Sequence, residues 1–500
     1  MKRRDFLKIA AVSCGALAIP GVASARKKRW TNVVLMMADD FAFECLQCNG
    51  GTSYETPVLD DLAKKGLRFT NCHSNPVCTP TRVKIMTGKH NYRNYVHFGT
   101  LDHRQKTFGH IMQAGGYKTC IAGKWQLTGF DAVKGTRPED AGFDDYCLYH
   151  VDDPADSRYW NPRLIQNGKW LEGMEGKYGP DVFRDFVMDF MADNKDRPFF
   201  AYYPMALTHG PHIPTPDTPD REPSPNGKYQ RDGKYMKDMV AYTDKIVGQM
   251  VDKLEELGIA ENTLLLFTGD NGNDKKITSY MGDLAIRGGK GQSIEWGTHV
   301  PFIAYWKGTT PVGGVCEDLI DFSDMLPTIA DAGRVKIPGD FITDGISFLP
   351  QLKGKQGNAK EWLYFHYEKG KGVVTPESRT DKGEPTRWVR DKKWKLYNNG
   401  NLFHAMDDPF EKNAISTDTS ETKAIRKKFQ AILDKYPKVR QLDPELRDLP
   451  AEKFYEMKKA KEENEARKKL KNAGKDKSKS KAAKKAEKAA KKAAEKAESI

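Results

Sequence analysis

Four stretches of this sequence run apolar and then stop on groups that bind charge. NVVLMMADD closes on Asp39 and Asp40, YKTCIAGKWQ on Lys124, PFFAYYPMALTHGPH on His209 and His212, and NTLLLFTGDNG on Asp270 and Asn271. Continuous aliphatic and β-branched runs of this length suit strands buried on both faces, the condition of a parallel sheet covered by helices. In open α/β sheets the ligand crevice forms at the carboxyl ends of the strands. Such ends would therefore pool acids, a lysine and histidines in one cleft. Helical segments fall between the runs. ETPVLDDLAKKG has Pro57 near its start and Gly66 past its end, the asymmetry expected of a helix. KYMKDMVAYTDKIVGQMVDKLEELG spaces Met239, Ile246, Met250, Leu254 and Leu257 as an apolar stripe ending at Gly258, with the methionines read as core. DLIDFSDMLPTIADAG reads as a further helix, started or interrupted by Pro327. The expected fold is α/β, a large mixed, mostly parallel sheet flanked by helices.

From about residue 355 the texture changes. EWLYFHYE, TRWVRDKKWKLY and GNLFHAMDDP are short, aromatic and separated by turn residues. They predict an antiparallel sheet in a smaller C-terminal α+β subdomain, 356–450, after a catalytic domain over 26–355. Residues 451–500 are a Lys/Ala/Glu-rich low-complexity tail with no apolar face by which to dock. The ends also hold the formal net charge of +13: residues 1–29 carry 8 Lys/Arg against one Asp, and 451–500 carry 18 against 9 acids. What remains has 55 basic and 58 acidic residues, so the body is not basic and no nucleic acid is expected as partner. At the N-terminus, Arg3 and Arg4 precede a short apolar run and Ala23-Ser24-Ala25. Residues 1–25 thus resemble a twin-arginine signal peptide. This implies the Tat export machinery as a partner, cleavage near Ala25, and a periplasmic or secreted protein. The run is broken by Gly15, Pro20 and Gly21, so no stable membrane span is expected. Of 8 cysteines, Cys45 and Cys48 form a C-x-x-C with no second pair to complete a zinc site. Disulfides suit an exported protein, but their connectivity is open.

The two acidic strand ends offer hard oxygen ligands, which suit Ca2+ or Mg2+ better than zinc. Arg82, Lys124, Lys290, His209 and His212 add positive or protonatable groups, the set needed to hold an anionic tetrahedral group while charge develops on its oxygens. IRGGKGQS lacks the G-x-x-x-x-G-K-[ST] spacing of a nucleotide-binding loop. There is no G-x-S-x-G elbow either. One cysteine, Cys78, stands apart in a turn with Arg82 four residues on.

Cys78-Thr79-Pro80-Thr81-Arg82, followed by Met86-Thr87-Gly88-Lys89, resembles the signature of the formylglycine-dependent type I sulfatases, arylsulfatase-like members of the alkaline phosphatase superfamily. The likeness extends over most of residues 30–410 through the Asp-Asp strand end, AGKW, THGPH, GDNG, RGGKG and DDPFEKN. It implies an alkaline-phosphatase-like architecture and oxidation of Cys78 to Cα-formylglycine by a formylglycine-generating or sulfatase-maturating enzyme. It implies one Ca2+ per active site, held by Asp39, Asp40, Asp270 and Asn271 and completed by the modified Cys78. The aldehyde would be hydrated, one hydroxyl attacking sulfur and the other expelling sulfate afterwards. Arg82 and Lys124 would stabilise the diol and the sulfate. Lys290 and His209 would bind the ester, His209 as proton donor to the leaving group, with His212 as a second candidate donor or a substrate contact. The chain departs from the pattern at Gln126, where the family usually has a histidine; an amide can hydrogen-bond the diol but cannot take a proton near neutral pH. Lys89 replaces the usual arginine, a point charge for a fork. The implied reaction is S–O cleavage of a small-molecule or glycan sulfate ester, on a sulfated carbohydrate. The alternatives are a phosphodiesterase or phosphonate monoester hydrolase on the same scaffold, and a non-catalytic sulfoglycan-binding protein.

Overall fold

Each of the apolar runs is a strand. In the computed structural model, which describes residues 30–129, 135–153, 157–219, 221–223, 229–368 and 385–438, they form the middle of one ten-stranded sheet. Residues 1–25, expected as an export signal, and the low-complexity tail 451–500 lie outside the described residues. In chain order the strands are β1 (Asn32–Ala38), β2 (Leu67–His73), β3 (Lys118–Lys124), β4 (Asp145–Tyr149), β5 (Ile165–Gln166), β6 (Lys169–Trp170), β7 (Phe199–Pro204) and β8 (Thr263–Gly269). A two-stranded hairpin follows, β9 (Thr278–Met281) and β10 (Leu284–Arg287), and then β11 (Phe302–Tyr305) and β12 (Gly314–Asp321) return to the large sheet. Its order is β12-β2-β11-β8-β1-β7-β3-β4-β5-β6. The central strands β8, β1, β7, β3 and β4 are all parallel, and β11 is inserted antiparallel between β8 and β2.

The period of two along β1 divides the core. Val34, Met36 and Ala38 face one hydrophobic cluster, and Val33, Leu35 and Met37 face the other. The first is covered by α1 (Pro57–Lys65), and the second by α2 (Cys78–Thr87) and α3 (Phe108–Ala114). Two long helices, α4 (Gly179–Asp193) and α5 (Met236–Glu256), complete the first layer, and α6 (Met325–Ala332) completes the second. Met239 and Met250 of α5 are fully buried core residues, as their spacing predicts. Both faces of the central strands β1, β7 and β8 are therefore dry, which is why they read as unbroken apolar runs.

One expectation is corrected. Asp318–Asp321 does not open a helix but ends β12, with Leu319, Ile320 and Asp321 paired to Asn71, Cys72 and His73. Pairing with a distant strand overrides the local helical pattern. The helix starts only at Met325, so Pro327 sits in its first turn, where a missing N–H costs no intrahelical bond. The aromatic segments form a separate four-stranded antiparallel sheet, β13 (Leu363–Tyr367), β14 (Thr386–Arg390), β15 (Trp394–Tyr397) and β16 (Leu402–His404). Its apolar face is closed by Phe429, Ile432 and Leu433 of α7 (Ser420–Lys435). The seven described cysteines are all free thiols. No helix among the described residues is long and apolar enough to cross a membrane.

Candidate active site

The parallel strands deliver their carboxyl ends to one edge, and the chemistry follows them. Asp39 and Asp40 come directly after β1, Lys124 ends β3, His209 follows β7, and Asp270 and Asn271 follow β8. Glycines prepare two of these exits. A Cβ on Gly269 would stand 1.8 Å from the Phe41 carbonyl oxygen, and one on Gly123, at φ +113°, would stand 2.1 Å from that of Pro204. Only a residue without a side chain lets the backbones approach so closely.

Cys78 does not lie in a turn. It is the first residue of α2, and the whole helix is buried, Cys78 being 2% exposed. Arg82 stands one helical turn further on the same face. Its Nη2 donates to Asp270 Oδ2 at 2.9 Å and lies 3.5 Å from Asp39 Oδ2. Lys124 Nζ is 2.7 Å from Asp39 Oδ2, and Lys290 Nζ is 2.7 Å from Asp40 Oδ2. Asn271 Nδ2 donates to Asp40 Oδ1 at 2.7 Å, and the Asp40 amide donates to Asp270 Oδ1 at 3.0 Å. A negative charge on the Cys78 side chain would bear on both Lys290 and Arg82. Its Sγ is 3.6 Å from Gln126 Oε1, so the residue that departs from the family pattern touches the expected nucleophile.

Charge crowding sets the protonation pattern. Burial acts to raise Asp39, but the Lys124, His209 and Arg82 charges outweigh it and hold its carboxyl well below the usual range. Asp40 is lowered in the same way, burial being outweighed chiefly by Lys290 and His209. Burial and the Asp39 carboxylate push Asp270 up in spite of Arg82. Burial lowers His209 to about 4, against the pull of Asp39 and Asp40. Its Nε2 is 3.9 Å from Asp40 Oδ2. The pKa of His212 is lowered by burial, and the Asp274, Asp40, Lys276 and Lys290 charges also act on it.

Two oxygens in this cluster, Asp39 Oδ1 and Asn271 Oδ1, are buried without a hydrogen-bond partner among the described residues, as are Nε and Nη1 of Arg82. Buried polar atoms are rarely left so. Unsatisfied carboxylate and amide oxygens beside two further buried carboxylates are the donor set of a hard cation, and Asp39, Asp40 and His209 bring ligand atoms within 4.8 Å of one another. The group fits Ca2+. A second cluster, His73, Glu295 and His299, is different in kind. Arg390 Nη1 lies 2.5 Å from Glu295 Oε2 and 3.3 Å from His73 Nδ1, so a guanidinium already supplies the positive charge.

The residues expected to act thus assemble at one sheet edge, and the Asp40 and Lys290 charges act on His212 as well. Two neighbours carry no motif. His150 accepts the Gln126 amide on its carbonyl at 3.0 Å. Arg158 reaches His209. Both lie in loops where only tertiary folding brings them to the site.

A family model described as Sulfatase matches residues 31–335. An arylsulfatase of Hemicentrotus pulcherrimus is 32% identical over 373 residues, which is 67% of this chain and 64% of that enzyme. An N-acetylgalactosamine-6-sulfatase of Canis lupus familiaris is 27% identical over 394 residues, 70% of this chain and 71% of that one. The matched part thus falls just short of two thirds of the Hemicentrotus enzyme. Among solved structures, the crystal structure of Ps i-CgsB has the same fold, with a TM-score of 0.68 at 24% identity over 81% of this chain and 92% of that one.

Proposed function

The chain belongs to the sulfatase family, the sulfuric ester hydrolases, and from that premise we propose that it cleaves the S–O bond of sulfate esters on carbohydrates, with Cys78 matured to Cα-formylglycine and one Ca2+ beside it. The observation that carries the reading is the meeting of Cys78, Arg82 and Lys290 with the Asp39, Asp40, Asp270 and Asn271 oxygens at one sheet edge. A relative named for a sulfated amino sugar supports the carbohydrate class.

In this reading Asp39, Asp40, Asp270 and Asn271 would hold the cation, which would supply fixed positive charge to the sulfate oxygens. The matured side chain supplies the nucleophilic hydroxyl. Arg82 and Lys124 hold both the acid cluster and the non-bridging oxygens, as preorganised charges that need no rearrangement during reaction. Lys290 and His209 face the oxygen of the leaving alcohol. Gln126 orients the nucleophile by a hydrogen bond but takes no proton from it. His212 contacts the substrate. Export by the Tat route, and a maturing enzyme acting on Cys78, belong to the same proposal.

Peptide mass spectrometry across residues 70–90, with sulfate release from an aryl sulfate and a panel of sulfated glycans, tests it. The expected result is an aldehyde at position 78 and release that Cys78→Ala abolishes. An unmodified thiol throughout would sink the mechanism. Faster turnover of an aryl phosphodiester than of the aryl sulfate would move the assignment to phosphodiester hydrolysis.

A further inference from the structure

The stretch from Asp274 to Gly291 holds more positive charge than its own contacts use. Lys275, Lys276 and Arg287 are all exposed. Among the described residues no carboxylate forms an ion pair with any of them. The chain between its two basic ends carries 55 basic and 58 acidic residues, so this surplus is local. Hydrogen bonds hold the backbone that presents it. The Lys276 amide donates to Asp274 Oδ1 at 2.8 Å, and the Ile277 amide to the Asp274 carbonyl at 2.9 Å. Arg287 Nε donates to the Lys275 carbonyl at 2.9 Å, which closes the neck of the β9–β10 hairpin, and neither Nη is bonded among the described residues. The Lys290 amide, from the same neck, donates to the Asn273 carbonyl at 3.0 Å.

This set borders the candidate active site. A Cβ on Gly291 would stand 3.8 Å from Lys275 Nζ and 3.8 Å from Val77 Cγ2. The Lys275 ammonium therefore lies over the residue after Lys290 and near the residue before Cys78. The Lys276 charge acts on His212, as the Lys290 charge does. Asp274 sets one carboxylate against three cations. Asp283 sits at the hairpin turn, about 13 Å along the strand from Arg287, beyond the ~8 Å over which exposed charges act at physiological salt. Tyr280 is 47% exposed and shares the face of the hairpin that carries Arg287, since Thr278↔Arg287 and Tyr280↔Ala285 are paired rungs two residues apart. An aromatic ring with donors of fixed charge beside it suits a sugar that bears anionic substituents.

In the proposed reaction the scissile sulfate is met by Arg82, Lys124 and Lys290, and needs none of these three cations. We propose that Lys275, Lys276 and Arg287 form a second subsite, which binds a further anionic group, a sulfate or a uronate carboxylate, on the same glycan. The preferred substrate is then a carbohydrate with more than one anionic group. The link to turnover rests on the sulfatase reading; the binding does not.

The test compares kcat/KM for oligosaccharides matched in backbone that carry one sulfate, two sulfates, or one sulfate and a uronate carboxylate. The wild type should favour a doubly anionic form by about tenfold or more, as two or three exposed charge contacts would give. The preference should shrink at high salt. Whichever doubly anionic form leads identifies the group as sulfate or carboxylate. Lys275→Gln with Lys276→Gln should lower the ratio, and adding Arg287→Gln should bring it within about twofold of one. A wild type indifferent to the second group would overturn the inference. So would a preference that survives all three substitutions, since every variant keeps the basic residues of 451–500 and the preference would then come from charge elsewhere. Calorimetric titration of Cys78→Ala with the same oligosaccharides reads the subsite without turnover. If the wild type releases no sulfate, the proposed function fails, while tighter binding of a doubly anionic form that the substitutions remove still upholds the subsite.

Discussion

Gln126 is the residue where a single side chain most affects the expected cycle. It touches the Cys78 thiol at 3.6 Å, so a histidine there would place an acceptor of protons where the amide can only share one. Gln126→His is expected to raise kcat, toward the ~10²-fold that a positioned acid–base group contributes. Stopped-flow assays should show a smaller initial burst relative to the steady rate, and an unchanged burst would mean that release does not limit turnover. At this scale the sequence was informative where a residue ends a buried strand. Asp39, Lys124, His209 and Asp270 were legible because an apolar run points at each. Arg158 was not, because what places it beside the site is a contact with His209, 51 residues away, that no local pattern encodes.

The element that carries the expected nucleophile is held by its charged residues as much as by its apolar ones. In α2 all ten residues are buried, Lys84 among them, with Nζ 2.6 Å from Asp321 Oδ2 and 4.3 Å from the Phe365 ring centroid. Lys360 lies 3.2 Å from the other Asp321 oxygen. Burial acts to raise Asp321, but Lys360 and Lys84 outweigh it and hold the carboxyl below its ordinary value. Lys84→Met leaves that carboxylate half-compensated and should cost about 3 kcal/mol, the lower end for breaking a buried pair, because Lys360 remains. Urea unfolding at neutral pH measures it. Since the folded pKa is depressed, the stabilisation is present above the unfolded value of ~3.9 and fades as pH falls toward the folded one. The deficit of the variant should therefore shrink in acid. The end of β12 was misread at this same scale, because its partner β2 lies some 250 residues earlier and an Asp-Leu-Ile-Asp-Phe string suits a helix equally well.

Across the whole molecule, the four-stranded sheet braces the loop that presents Lys290. Lys395 of β15 donates to the Ser293 carbonyl and pairs with Glu411 at 2.6 Å, while the Tyr397 hydroxyl donates to the same carbonyl at 3.2 Å. Lys395→Met should lower kcat/KM by about tenfold or more with secondary structure unchanged, since a displacement near 1 Å can cost ~10²-fold. Circular dichroism beside the sulfate-release assay would separate lost bracing from lost folding. Cation binding should also register globally: EGTA treatment is expected to lower Tm and abolish turnover, both restored by Ca2+. Saturation at 100 times Kd corresponds to ~2.7 kcal/mol of stability. An unchanged Tm would count against the cation. The class of the fold was legible from the buried runs, but the strand order was not, because crossovers depend on pairings that sequence distance conceals. The ladder of β1 and β8 carries one more consequence. Their pairing runs unbroken from Asn32↔Thr263 to Ala38↔Gly269, and Asp39 and Asp270 are the next rung. Distance along these strands is thus a fixed count: inserting or deleting one residue in either would turn an acid toward the wrong face of the sheet. Evolution can lengthen the loops that follow these strands, but it cannot edit the length of β1 or β8 without dismantling the acid cluster.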